Sequence, residues 1–177
     1  STSNKQIVLK LSLVTPIYNE SKNLRPLFSE LKKVLDGLEY DYEIIAVNDG
    51  SSDDSFEILK ELSHDSHVKV INFSMNYGQT AALLAGIDNA KGDIIVSIDS
   101  DLENDANDIP KMIEKINEGY DVVSGWRRKR WKGKWITRKL PSICANWLIS
   151  KITGLKLHDY GCILKAYKRE SISGVKL

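Results

Sequence analysis

Two carboxylates separated by a single residue, Asp99 and Asp101, close an aliphatic run in the stretch IIVSIDSDLEND. Ile94–Ile98 has the composition of a strand buried on both faces, so the pair is expected at that strand's carboxyl-terminal end. Ligands of open α/β sheets bind along that edge. Two hard oxygen donors so close together suit Mg2+ or Mn2+, which keep part of their coordination shell for phosphate oxygens. The chemistry implied is a divalent cation holding a phosphorylated substrate. An EF-hand calcium loop fits poorly, because Asn104 stands where its glycine belongs and Pro110 where its bidentate glutamate belongs. Asp105, Asn107 and Asp108 lie just before Pro110 and read as the capped, charge-balanced start of a helix.

Two earlier strand ends also carry polar signatures. In TPIYNE there is no glycine-rich turn of the dinucleotide-binding kind. Pro16 fixes the backbone, Tyr18 offers a flat ring for stacking and Glu20 an acceptor, a set suited to a nucleoside rather than a pyrophosphate. The plain alternative is that Asn19 or Ser21 caps a helix and Tyr18 packs. In VNDGSSDDS, Asp49 lies nearest the strand and could accept hydrogen bonds from a base's ring nitrogen. Gly50, Ser51 and Ser52 permit a tight turn, and Asp53 reads as the next helix's N-cap.

The elements that must position these residues alternate along the chain. Strands are expected at Ile7–Val14, Tyr42–Val47, Val68–Phe73, Ile94–Ile98 and Tyr120–Ser124. Between them lie a helix from Ser21 with the stripe Leu24, Leu27, Phe28, Leu31 and Leu35, another through Phe56, Ile58, Leu59 and Leu62, a third over Thr80–Asn89, and one starting near Pro110. This rhythm predicts an α/β fold, a mostly parallel sheet with helices on both faces. Beyond Gly125 it breaks. A short amphipathic helix is expected from Pro141 to about Ile152, and HDYGCILKAYKRE as a loop followed by a strand.

At 177 residues, one core is expected, and no apolar run is long enough to span a bilayer. Cys144 and Cys162 lack metal or redox spacing and read as reduced thiols of a cytosolic protein. Net charge is +1, but Arg127–Lys139 holds eight basic residues and no acidic one, so the rest is net negative. Trp126, Trp131 and Trp135 interleave with these cations. The segment suits nucleic acid, an anionic membrane surface or a solvated loop, and Arg127 and Arg138 could reach an anionic acceptor's phosphate.

Together, TPIYNE, VNDGSSDD, DSDLE, SGWRR and HDYGCILKAYKR resemble the family-two glycosyltransferases, specifically the polyprenyl-phosphate sugar transferases such as dolichol-phosphate mannose synthases and bactoprenol glucosyltransferases. The resemblance covers nearly the whole chain. It implies a nucleotide-diphospho-sugar transferase (GT-A-like) fold with the DxD pair on a metal, Mg2+ or Mn2+. By position it implies that Pro16, Tyr18, Glu20 and Asp49 contact the nucleoside, and that Asp99 and Asp101, with Glu103 beside them, hold metal and diphosphate. Many members carry Gln where Glu103 stands. Arg127 and Arg138 resemble the arginines that receive the lipid phosphate, and Asp159 and Lys165 the acceptor-side motif.

The reaction implied is inverting transfer of a hexose from a UDP- or GDP-linked donor to a polyprenyl (undecaprenyl or dolichyl) phosphate, in cell-envelope biosynthesis at the cytoplasmic face of the membrane. Residues 1–177 would form one catalytic domain ending before interfacial or transmembrane helices, docked on a membrane surface, with no nucleic-acid partner and with room for a homo-oligomer. Two alternatives stay open: the same fold with a sugar or protein hydroxyl as acceptor, and a non-enzymatic basic module binding nucleic acid or membrane.

Overall fold

The computed structural model describes residues 9–125 and 163–172. Four parallel strands, β1 (Lys10–Ile17), β2 (Asp41–Asn48), β3 (Val68–Asn72) and β4 (Ile94–Ser97), are joined by β5 (Val122–Ser124) and β6 (Lys165–Lys168) in the order β3-β2-β1-β4-β6-β5. β6 runs antiparallel to both β4 and β5. The sheet is therefore mostly parallel, as expected, with one reversed strand inserted near its edge.

Helices cover both faces. On one lie α1 (Ser21–Asp36), α2 (Ser55–Leu62) and α4 (Ile109–Asn117), packed with Leu11, Leu13, Ile44, Ala46, Ile94 and Val96. The α1 stripe Leu24, Leu27, Phe28, Leu31 and Leu35 is buried throughout, as helical periodicity requires of a core-facing stripe. On the other face α3 (Gln79–Asn89) packs through Ala82 on Val14, Ile45, Val47 and Ile95. Alternate residues of β1, β2 and β4 thus serve two cores, which is why these strands read as unbroken apolar runs.

β1 continues three residues past its expected end. Pro16 would ordinarily break a ladder, but its position makes it harmless. Val14 O accepts from Ile98 N on the β4 side and Ile17 O from Asp49 N on the β2 side. Alternation along the strand therefore turns Pro16 toward β4 at the point where the β1–β4 pairing has ended at Val14. No donor is missed there, and the Pro16 carbonyl accepts instead from Ser100 Oγ at 3.0 Å.

The opposite, amino-terminal edge is tied by a buried carboxylate. Glu43, 2% exposed, accepts from Ser12 Oγ at 2.6 Å and from Lys91 N at 2.7 Å, and pairs with Lys69. Burial raises its pKa, but these donors outweigh it and hold the carboxyl below its usual range. Arg169, in the helical turn after β6, donates to the carbonyls of Ala90 and Gly92. The loop entering β4 is thereby held from two sides.

Candidate active site

All four parallel strands end at one edge. Because β6 is reversed, its first residue, Lys165, lies at the same edge, paired with Ser97 and Ser124. Ser97 Oγ donates to Ile163 O at 2.6 Å and fixes the entry to β6. Sheet topology thus gathers Pro16, Tyr18, Glu20, Asp49, Asp99, Asp101, Glu103 and Lys165 along one rim.

Three loops on that rim are laced together. After β1, Asn19 has φ of 53°, a left-handed conformation that asparagine tolerates. Its side-chain oxygen accepts from Ser52 N at 2.8 Å and Asp53 N at 3.3 Å, while its backbone N–H donates to Ser51 Oγ. Asn19 is therefore a brace between loops. The N-cap of α1 is Glu20, whose carboxylate accepts from Asn23 Nδ2 at 2.6 Å. Asp53 accepts from Ser21 N and Ser55 N, so it serves the starts of α1 and α2 together. Burial opposes ionisation of Asp53, yet the hydrogen bonds from Ser55 and Ser21 hold its pKa down at about 2.

The loop after β2 is joined to the loop after β3 through Asp49. This side chain is 2% exposed, and its carboxylate accepts from Tyr77 N at 2.7 Å, Gly78 N at 3.0 Å and Asn76 Nδ2 at 3.1 Å. Gly50 follows with φ of 64°, and a Cβ there would lie 2.3 Å from Met75 C and 2.5 Å from Asn76 N. Only glycine permits this approach. The segment Met75–Gly78 had no role in the sequence reading. Its signal was present in NYG, which begins four residues after the last residue of β3, a turn signature at the ligand-binding edge.

The acidic pair lies beside β1's end. Asp99 Oδ1 accepts from Ser100 N at 2.9 Å, and Asp101 Oδ1 from Glu103 N at 3.0 Å. Glu103 is exposed, and between these residues Leu102 takes φ of 60°. Partial burial raises the Glu20 pKa, and the negative charges of Asp101 and Asp53 add to the rise against the Asn23 hydrogen bond. Asp101 and Asp53 thus place negative charge near Glu20, which a cation would relieve. Among the described residues no three His, Cys, Asp or Glu side chains converge as a ready-made metal cage. Asp105 accepts from Asn107 N at 2.9 Å and caps the turn before α4, the structural part expected of it.

Tyr18 is 49% exposed on this rim, Pro16 is buried in β1 and Lys165 is 4% exposed. Arg127, Arg138 and Asp159, with the tryptophan-rich segment, both cysteines and the expected helix from Pro141, lie outside the described residues. A cavity of about 260 Å3 lined by Phe28, Tyr42, Ile44, His67 and Val68 lies at the other edge, near the starts of β2 and β3, and contains none of the expected site residues.

Comparison with known proteins decides the family. The model of "Glycosyl transferase family 2" matches residues 12–175. The chain belongs to glycosyltransferase family 2. It is 42% identical over 172 residues to the dodecaprenyl-phosphate galacturonate synthase of Rhizobium johnstonii, covering 96% of this chain and 51% of that protein. It is 42% identical over 168 residues to the undecaprenyl-phosphate 4-deoxy-4-formamido-L-arabinose transferase of Proteus mirabilis, covering 94% and 51%. This family 2 chain thus spans about half the length of these relatives.

Among solved structures it resembles the mannosyltransferase of Pyrobaculum calidifontis in complex with GDP-Man and Mn2+ (TM-score 0.65, 19% identity, 96% of this chain and 47% of that one). It also resembles the glucosyl-3-phosphoglycerate synthase of Mycobacterium tuberculosis with Mn2+, UDP and glucosyl-3-phosphoglycerate (TM-score 0.62, 22% identity, 92% and 57%). These likenesses establish the nucleotide-sugar transferase fold expected of the family. Among the described residues no helix is long and apolar enough to cross a membrane.

Proposed function

We propose that this chain is the donor-binding catalytic domain of an enzyme that moves a sugar, a hexose in our reading, from a nucleotide diphosphate carrier to a polyprenyl phosphate. The observation that carries the proposal is the lacing of three loops around Asp49 beside the Asp99–Asp101 pair. Two relatives at 42% identity are named for transfers involving polyprenyl phosphates.

In this reading the nucleoside lies against Tyr18, with Pro16, Glu20 and Asp49 behind it. The donor set fits a hard divalent cation: Asp99 and Asp101, with Glu103 beside them, would hold Mg2+ or Mn2+, the diphosphate completing the shell. When bound, that ion offsets the charge growing on the departing diphosphate.

The acceptor phosphate is already anionic near neutral pH and needs little help from a base. One of its oxygens bonds to the anomeric carbon while the bond from that carbon to the diphosphate oxygen breaks, which inverts the configuration. Arg127, Arg138 and Lys165 would draw in the acceptor, and Asp159 would orient it or the sugar; positioning and charge neutralisation then supply most of the rate. The work site would be the cytoplasmic face of a membrane, the basic tryptophan-rich segment lying on its surface. The test is transfer of labelled sugar from UDP- and GDP-linked donors to vesicles containing polyprenyl phosphate, with Mn2+. Transfer to a sugar hydroxyl instead of the lipid would overturn the acceptor assignment.

A further inference from the structure

Tyr77 is held rigidly and yet faces solvent. Its ring is 60% exposed. Its amide donates to the buried Asp49 carboxylate at 2.7 Å, and the amide of Gly78 does the same at 3.0 Å; such charge-assisted bonds are stronger than neutral ones. The ring meets Phe73 edge-on, centroids 5.5 Å apart at 88°. The backbone is tied on both sides of the Tyr77–Gly78 peptide, and the exposed ring rests on one aromatic neighbour.

A single exposed aromatic means little, but this one has company. Of six exposed large hydrophobics among the described residues, Tyr18, Met75, Tyr77 and Leu102 all lie on the loops after β1, β3 and β4. In the order β3-β2-β1, Tyr77 and Tyr18 flank the Asp49–Gly50 turn from its two sides. That placement puts one exposed ring on each side of the turn that follows β2.

We infer that Tyr77 forms a second aromatic wall of the nucleobase site, across from Tyr18, and that Asp49 is the positioning residue that presents it. The inference rests on the donor reading above and assigns the loop after β3 to recognition of the base. It explains why three donors of that loop converge on one buried carboxylate: an exposed loop is fixed most firmly by a charge removed from water.

The test measures UDP, GDP and inorganic pyrophosphate binding by calorimetry with Mn2+. Stacking on an aromatic ring predicts that Tyr77→Ala weakens both nucleotides about tenfold to a hundredfold. Pyrophosphate, which has no base, binds as before, and Tyr77→Phe restores nucleotide affinity to within about twofold. The substitution removes an exposed ring and keeps the amide that Asp49 holds, so the fold persists. Wild-type affinity in Tyr77→Ala overturns the inference alone, as does an equal loss for pyrophosphate, which would mark a merely structural role. Failure of the wild type to bind either nucleotide overturns the donor reading and the inference with it.

Discussion

Replacing Gly50 with alanine tests whether the loops after β2 and β3 are held at the separation that the site needs. The new Cβ would meet Met75 C at 2.3 Å, Asn76 N at 2.5 Å and Met75 Cα at 2.7 Å. All three are backbone atoms, so no side chain can swing aside. Ordinary contact begins at 3.4 Å, and the loop must therefore retreat by roughly 1 Å. That displacement breaks or stretches the bonds from Tyr77 N and Gly78 N to Asp49, leaving a buried carboxylate under-satisfied at a cost of about 1–3 kcal/mol. Holding alanine at a φ of 64° adds about 1–2 kcal/mol.

The sum, about 2–5 kcal/mol, corresponds to a fall in Tm of roughly 5–15 °C for a domain of this size. Thermal unfolding and UDP and GDP titrations with Mn2+ check it, Gly119→Ala serving as the control. Gly119 also has positive φ, at 108°, but a Cβ there meets nothing within 4 Å and the turn lies away from the site. Gly50→Ala is expected to lose stability and at least about tenfold in nucleotide affinity, whereas Gly119→Ala loses stability only. Nucleotide binding unchanged in Gly50→Ala, or a Tm within about 2 °C of wild type, would refute the reasoning.

Asp53→Ala should cost about 1 kcal/mol, since it removes the acceptor of Ser21 N and Ser55 N at two helix starts. The folded pKa of Asp53, about 2, lies below the ordinary 3.8; its contribution is complete above the unfolded value and fades as pH falls toward 2, which urea titrations between pH 5 and 2 would reveal. Glu43→Ala strands Ser12 Oγ, Lys91 N and Lys69, and should destabilise by about 3 kcal/mol with the carboxyl-terminal rim of the sheet untouched. The depressed Glu43 pKa makes that stabilisation present above the ordinary carboxylate range and lost as pH falls below it. Matched denaturation curves of wild type and Glu43→Ala should therefore converge in acid; a constant gap would contradict the linkage.

Patterns within one element were legible, and partnerships between elements were not. The α1 stripe, the doubly buried β4 and the capping by Asp105 follow from spacing and local chemistry, and all stand in the structure. The end of β1 is not legible in the sequence because the cost of a proline depends on which neighbour its missing N–H faces, a property of the sheet and not of TPIYNE. Glu43 sits in the apolar run YEIIAV with nothing nearby to mark it; its donors come from Ser12, Lys69 and Lys91 across the sheet. The rim shows both cases. Asp99 and Asp101 announce themselves by spacing, whereas the tie from Asp49 to Tyr77 and Gly78 spans 28 and 29 residues and exists only once β2 and β3 pair.

The proposed site is metal-assisted and holds a nucleotide sugar at Asp99 and Asp101. Its most direct test is calorimetric titration of UDP- and GDP-linked sugars into wild type and Asp101→Ala, each with Mn2+ and with chelator. Wild type with Mn2+ is expected to bind one donor class, and to bind it at least about tenfold more weakly when either the metal or the Asp101 carboxylate is removed. Equal affinity for that donor in both proteins, with Mn2+ and with chelator, would contradict it.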